Sequence, residues 1–171
     1  MLEKNQWTEL IIKPAVGASA YSVSKGDFSS LAECQKSATQ ILNNSGLLIQ
    51  KYLKEICEFG ELSLIFLEGE FSHAALKKPK PGDFRANVDC GGSITGYAVP
   101  EDIVHQAQMV LKKAIPGLLY SRVDGTIVDG RFIVSEIELI EPSLYLYTDP
   151  KAPSRFAKCI WRRLGAGSIF A

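Results

Sequence analysis

The sequence predicts an α+β fold with largely antiparallel sheet, and three observations carry that reading. Strand-like and helix-like segments run in the order strand, helix, strand and then hairpins. Two hairpins are marked by the turn dipeptides Glu68-Gly69 and Asp129-Gly130, each flanked by runs of Ile, Val, Leu, Tyr and Phe. Two helical segments carry apolar residues at helical spacing between recognisable starts and stops.

Bulk properties narrow the function classes. A chain of 171 residues with 46% apolar and 22% charged residues has a globular composition and is long enough for one ordinary domain or two small ones. Lys plus Arg equals Asp plus Glu at 19 each, so no bulk charge recruits nucleic acid or an anionic membrane. Cys34, Cys57, Cys90 and Cys159 are widely spaced, with no C-x-x-C pair and no secretory leader, so reduced, buried thiols in a cytoplasmic protein are expected. The longest apolar runs, such as 62–67, are too short to span a bilayer, and a soluble protein is expected.

In chain order, Trp7 to Val23 reads as strand, loop, strand. Pro14 ends the first strand, and Gly17-Ala18-Ser19-Ala20 forms a loop of small residues directly after Lys13. Backbone N–H groups and a Ser hydroxyl beside a lysine suit polyphosphate oxygens, although a surface hairpin loop explains the same residues. Ser30-Leu31-Ala32-Glu33 has the form of a capping box, and Leu31, Cys34, Ala38, Ile41 and Leu42 continue a helix to about Asn43. Leu47 to Leu53 is a strand, and 62–67 with 70–77 form a hairpin. The basic turn KKPKPG leads on to Arg85. Lys77 and Arg85, if that loop brings them together, make a clamp for an anion. A helix follows from Pro100 to Pro116-Gly117. His73 and His105 lack ligand-spaced partners and are read as structural. A last helix spans Lys151 to Leu164, with Phe156, Ile160 and Leu164 inward and Arg155, Arg162 and Arg163 outward.

The hairpin at 118–142 carries the chemistry. Side chains alternate along a strand, so Arg122 and Asp124 share one face of the first arm, and Glu136 and Glu138 share one face of the second. A two-residue loop at Asp129-Gly130 sets Asp124 opposite Ser135 and sends the carboxylates to opposite sides. A three-residue loop with a G1 bulge at Gly130 pairs Arg122 with Glu136 and makes Asp124, Glu136 and Glu138 converge. Converging carboxylates need a cation, and hard oxygen donors suit Mg²⁺ or Mn²⁺ beside phosphate. The competing reading is a solvated outer face.

With these pieces in order, the chain resembles the ATP-grasp superfamily, and within it the ATP-binding region of bacterial glutathione synthetase. The resemblance spans about Trp7 to Leu164 and rests on IIKPAVGAS, LLIQKYL, GDFRANVDCGG, and SRVDG followed by SEIELIEPS. It implies two α+β subdomains truncated at the amino end. These are residues 1–53, a partial central subdomain with phosphate loop and adenine linker, and residues 54–171, the carboxy-terminal subdomain with the ribose, γ-phosphate and metal sites.

By this resemblance Lys13 contacts the α- and β-phosphates under a loop from Gly17 through Ala18 and Ser19 to Ser22. Gln50, Lys51, Tyr52 and Leu53 hold adenine, and Glu61 holds the ribose hydroxyls. Lys77 and Arg85 lie at the γ-phosphate and acyl phosphate with Asn87 beside them. They join Arg122 as the catalytic cations, and Asp124, Glu136 and Glu138 are the metal ligands. The implied partners are ATP with Mg²⁺ or Mn²⁺, a small carboxylate and an amine, joined through an acyl phosphate by a carboxylate–amine ligase. A non-catalytic nucleotide-binding domain and a fragment of a longer ligase are the alternatives. The family's amino-terminal domain has no counterpart here, so exposed apolar surface and a homodimer are further expectations. Glutathione synthetases commonly carry Asn where this chain has Glu138, which puts the second metal's coordination in question.

Overall fold

A computed structural model of the chain describes residues 2–17, 21–86, 90–113 and 116–165. The chain divides into two compact units, Met1–Lys54 and Glu55–Ala171.

In the first unit, β1 (Glu9–Pro14) is the centre of an antiparallel sheet, with β2 (Ser24–Asp27) on one side and β3 (Leu47–Lys51) on the other. A short helix α1 (Leu2–Asn5) and the longer α2 (Leu31–Leu42) supply the rest. Leu10 and Ile12 of β1 face the same way and bury against Leu2 and Ile41, with Trp7, Cys34, Ala38, Leu47 and Ile49 around them. Gly26 is required by this packing, because a Cβ there would lie 2.0 Å from the Cys34 sulfur. The capping box sits one turn earlier than the sequence suggests. Asp27 caps a 3₁₀ turn at Phe28–Ser30 that runs into α2, its carboxylate accepting from the Ser29 and Ser30 amides while the Ser30 hydroxyl accepts from the Asp27 amide. Ser30 itself makes no side-chain cap to α2.

In the second unit a short helix α3 (Glu55–Glu58) precedes strands β4 (Glu61–Leu67), β5 (Glu70–Lys78), β6 (Ser93–Gly96), β7 (Tyr120–Val128) and β8 (Arg131–Glu138). Among the described residues these strands form an antiparallel sheet in the order β6-β5-β4-β7-β8. Helix α4 (Glu101–Leu111) lies between β6 and β7 in sequence, and α5 (Ala152–Arg163) follows β8.

Alternation divides this sheet into two chemically different faces. Leu62, Leu64, Phe66, Ala74, Leu76 and Val123 form a core with Ile103, Ala107 and Leu111 of α4. Burying each large side chain contributes about 1.5–3 kcal/mol relative to exposure, so this face anchors the unit. The opposite face is apolar at one end, where Ile65 and Leu67 meet Cys159 and Phe156 of α5. At the other end it is charged. Two expectations for α5 are corrected. Cys159 is buried beside the partly buried Phe156, and Leu164 is exposed one residue past the helix; of the cysteines expected to be buried, Cys57 is exposed. Arg155 is engaged by Ser72 and Asp149.

Candidate metal and phosphate site

The turn joining β7 to β8 is the two-residue kind. Val128 pairs with Arg131, and Asp129 and Gly130 have φ of 48° and 73°, the positive values a type I′ turn demands. Continued regularly, that register would leave Glu136 on the core face. The ladder instead steps at Asp124/Gly125, so that Gly125 pairs with Val134, Asp124 with Glu136 and Arg122 with Glu138. Ser135 is the extra residue of a β-bulge. The carboxylates therefore converge, but through a bulge within the ladder and not through a three-residue loop.

Gly125 makes the step feasible. A Cβ on it would stand 2.4 Å from the Ile133 carbonyl oxygen and 2.9 Å from the Phe132 ring, so only glycine lets β8 crowd in. The bulge also turns Ile137 toward the core, where it packs beside Val134. Side-chain alternation thus serves the apolar and the charged face at once.

The charged face is densely paired. Lys77 donates to Asp124 at 2.7 Å and pairs with Glu61 at 2.8 Å. Glu61 also accepts from the Ser135 hydroxyl at 2.6 Å. Arg122 grips both oxygens of Asp124, at 2.8 and 3.0 Å, and its Nη2 also donates to Glu138. Its Nη1 donates to the Ser143 carbonyl at 3.0 Å, and its guanidinium lies 5.3 Å from the Tyr145 ring centre. Ser63, opposite Asp124 in the ladder, has a buried hydroxyl with no hydrogen-bond partner.

Proton affinities follow from this packing. Burial opposes charge on Lys77, but the Glu61 and Asp124 carboxylates more than offset it and hold its pKa above the usual lysine range. Burial likewise pushes Asp124 up, and Lys77 and Arg122 pull it below the ordinary aspartate value. Glu136 goes the other way. Burial and the neighbouring Asp124, Glu61 and Glu138 carboxylates raise its pKa to about 7.

Four carboxylates face two cations, which with all four ionised leaves two negative charges, the complement of one divalent ion. Glu136 has the weakest hold on a cation, 4.0 Å from Arg122. Asp124, Glu136 and Glu138 each offer an oxygen within 4.8 Å of the others'. Opposite ligands of an octahedral Mg²⁺ stand about 4 Å apart, so a small adjustment closes these three on one ion. The residues fit the cation by charge, by donor type and by spacing.

The other expected site residues divide between this face and other places. Lys77 and Arg85 engage separate carboxylates: Arg85 is bound by Asp83 at 2.8 and 3.0 Å. Glu61 belongs to the Lys77 cluster. In the first unit Lys13 lies on β1 opposite Leu48, Gln50 and Lys51 lie on β3, and the Tyr52 amide donates to Glu9 with Lys25 over its ring at 3.7 Å. Leu53 is half-buried and Gly17 exposed. Ala18, Ser19 and Asn87 lie outside the described residues. Ser135, Ser143, Tyr145 and Gly125 also build the site, and sequence reasoning did not select them. His73, read as structural, is buried and bridges Ser72 and the Leu144 carbonyl, next to Ser143.

Comparison with known proteins identifies the family and the fold. The family described as "Prokaryotic glutathione synthetase, ATP-grasp domain" matches residues 3–144. The cycloserine biosynthesis protein DcsG of Streptomyces lavendulae is 29% identical, over 91% of this chain and 55% of that protein. The crystal structure of D-cycloserine synthetase DcsG has a TM-score of 0.77 at 26% identity, over 95% of this chain and 58% of that one. A D-alanine–D-alanine ligase from Bacillus anthracis, solved with ATP, shares the fold at TM-score 0.65 and 20% identity, over 93% of this chain and 52% of its own. The chain thus spans little more than half the length of these relatives. With most of its length matched and the antiparallel α+β sheets in place, the chain belongs to the ATP-grasp domain family of prokaryotic glutathione synthetases.

Proposed function

We propose that this chain is the ATP- and Mg²⁺-binding module of a carboxylate–amine ligase. The observation that carries the reading is the gathering of the Asp124, Glu136 and Glu138 carboxylates on one face, with more acids than the Lys77 and Arg122 paired to Asp124 can neutralise. When bound, the divalent ion would neutralise phosphate oxygens. Asp124, Glu136 and Glu138 hold it. Lys77 and Arg122 fix Asp124 in place and, with Arg85, present positive charge toward the transferred phosphoryl group. Lys13 and the loop that follows it bind the α- and β-phosphates, with Asn87 beside the γ-phosphate. Gln50 to Leu53 hold adenine, and the lone pairs left on Glu61 take the ribose hydroxyls.

The reaction is two displacements. A substrate carboxylate oxygen attacks the γ-phosphorus and ADP leaves, giving an acyl phosphate. An amine nitrogen then attacks the acyl carbon, loses a proton, and inorganic phosphate leaves. Such chemistry needs positioning and charge neutralisation more than a protein nucleophile. Cytoplasmic small-molecule substrates suit it, and among the described residues no helix is long and apolar enough to cross a membrane.

A second reading is nucleotide binding without turnover, in keeping with Arg85 being held by Asp83 while Lys77 is held by Glu61 and Asp124. ADP release by the purified chain, measured with a panel of small carboxylates and amines, separates the two. Stimulation by both substrates supports the ligase, and Mg·ATP binding with no ADP release supports the binding module.

A further inference from the structure

We propose that Glu138 is a metal-operated latch on Arg122, so that cation binding uncovers an oxyanion site. The inference rests on the metal reading above. Among the described residues, four of the five Arg122 N–H groups have partners. Two go to Asp124 and one to the Ser143 carbonyl, and all three of these leave the guanidinium held in place. The fourth, on Nη2, goes to Glu138, a side chain 35% exposed at the last residue of β8, while Arg122 beneath it is 6% exposed.

Glu138 is also one of the three carboxylates whose oxygens approach one another as a metal set. A carboxylate turned onto a divalent ion gives up much of its hold on a neighbouring guanidinium. The Nη2–H released, with the Nη1–H that no described residue claims, then offers paired donors to a planar or tetrahedral oxyanion. Tyr145, against the guanidinium, keeps that fork from swinging away. Asp124 cannot act as the latch, because it is fully buried and bound by both Lys77 and Arg122.

The latch makes oxyanion binding depend on the metal, and Glu138→Gln should remove that dependence. Glu136→Gln is the control. At pH 8 it deletes a carboxylate charge from the same cluster but leaves Arg122 covered by Glu138. Inorganic phosphate and acetate are titrated calorimetrically into both variants and the unmodified chain, in EDTA and in Mg²⁺. The expected result is metal-free binding of at least one anion by Glu138→Gln on the order of tenfold tighter than by Glu136→Gln. Whichever anion gains identifies the fork as the seat of the phosphoryl group or of the substrate carboxylate. Equal affinities in the two variants, or no binding by either, overturns the latch. Mn²⁺ binding to the unmodified chain, followed by electron paramagnetic resonance, is the separate check on the metal reading. Its absence would sink that reading, whereas its presence with equal variant affinities would sink only the latch.

Discussion

Lys77 shows how one residue sustains the charged face. It is 7% exposed and is the bond that Asp124 and Glu61 share. Removing a partner from a buried ion pair leaves an uncompensated charge, at a cost of about 3–5 kcal/mol. Lys77→Met is therefore expected to lower unfolding free energy by about that amount, read from urea denaturation. Glu136 gives a pH signature of opposite origin. Its carboxyl titrates near 7 in the folded chain and at roughly 4.3 when unfolded, so the folded state binds the proton more tightly. The stability this contributes is complete below about 4.3 and is lost as pH rises through about 7. Metal-free protein should thus lose melting temperature between pH 5 and pH 8, and Glu136→Gln should flatten that loss. Because a proton and a cation compete for Glu136, Mg²⁺ affinity should rise over the same interval. A pH-independent Mg²⁺ affinity would count against Glu136 as a ligand.

At the scale of elements, the β7–β8 hairpin decides which face its acids reach. Its arms and the place of its turn were legible in the sequence, and the convergence of its acids was expected, but from a three-residue loop where the structure has a two-residue turn and a bulge. The device was not legible, because a bulge leaves no signature beyond Gly125, and the contact that demands glycine is with the Ile133 carbonyl, known only once the strands pair. The α2 cap was misplaced for a similar reason: Ser30 fits the motif, but Asp27 reaches the free amides first. Register arithmetic yields a sharp test. Deleting Ser135 restores a regular ladder that still sets Glu136 opposite Asp124, whereas an alanine inserted between Ser135 and Glu136 sends both glutamates to the core face. Mn²⁺ binding should survive the deletion and vanish with the insertion. Retention of tight binding by the insertion variant would contradict the register account.

For the molecule as a whole, every charged residue of the metal site lies within Glu55–Ala171, the unit with the larger apolar core. The residues proposed to hold adenine and the first phosphates lie in Met1–Lys54. That order of roles along the chain is what the resemblance implies. Which cations share which carboxylates was not readable, since the pairing of Lys77 with Glu61 and Asp124 comes from strands far apart in sequence. A fragment of residues 55–171 should fold, bind Mn²⁺ as the full chain does, and lose affinity for nucleotide. Failure of the fragment to bind Mn²⁺ despite a cooperative unfolding transition would place part of the metal site elsewhere.

The most direct test of the central claim is a calorimetric titration of the full chain with a non-hydrolysable ATP analogue, in Mg²⁺ and in EDTA. If the acidic face holds a cation that carries the triphosphate, Mg²⁺ should tighten binding by about tenfold or more, and Glu136→Gln should abolish most of that gain. Equal affinity in Mg²⁺ and EDTA for the unmodified chain would contradict it.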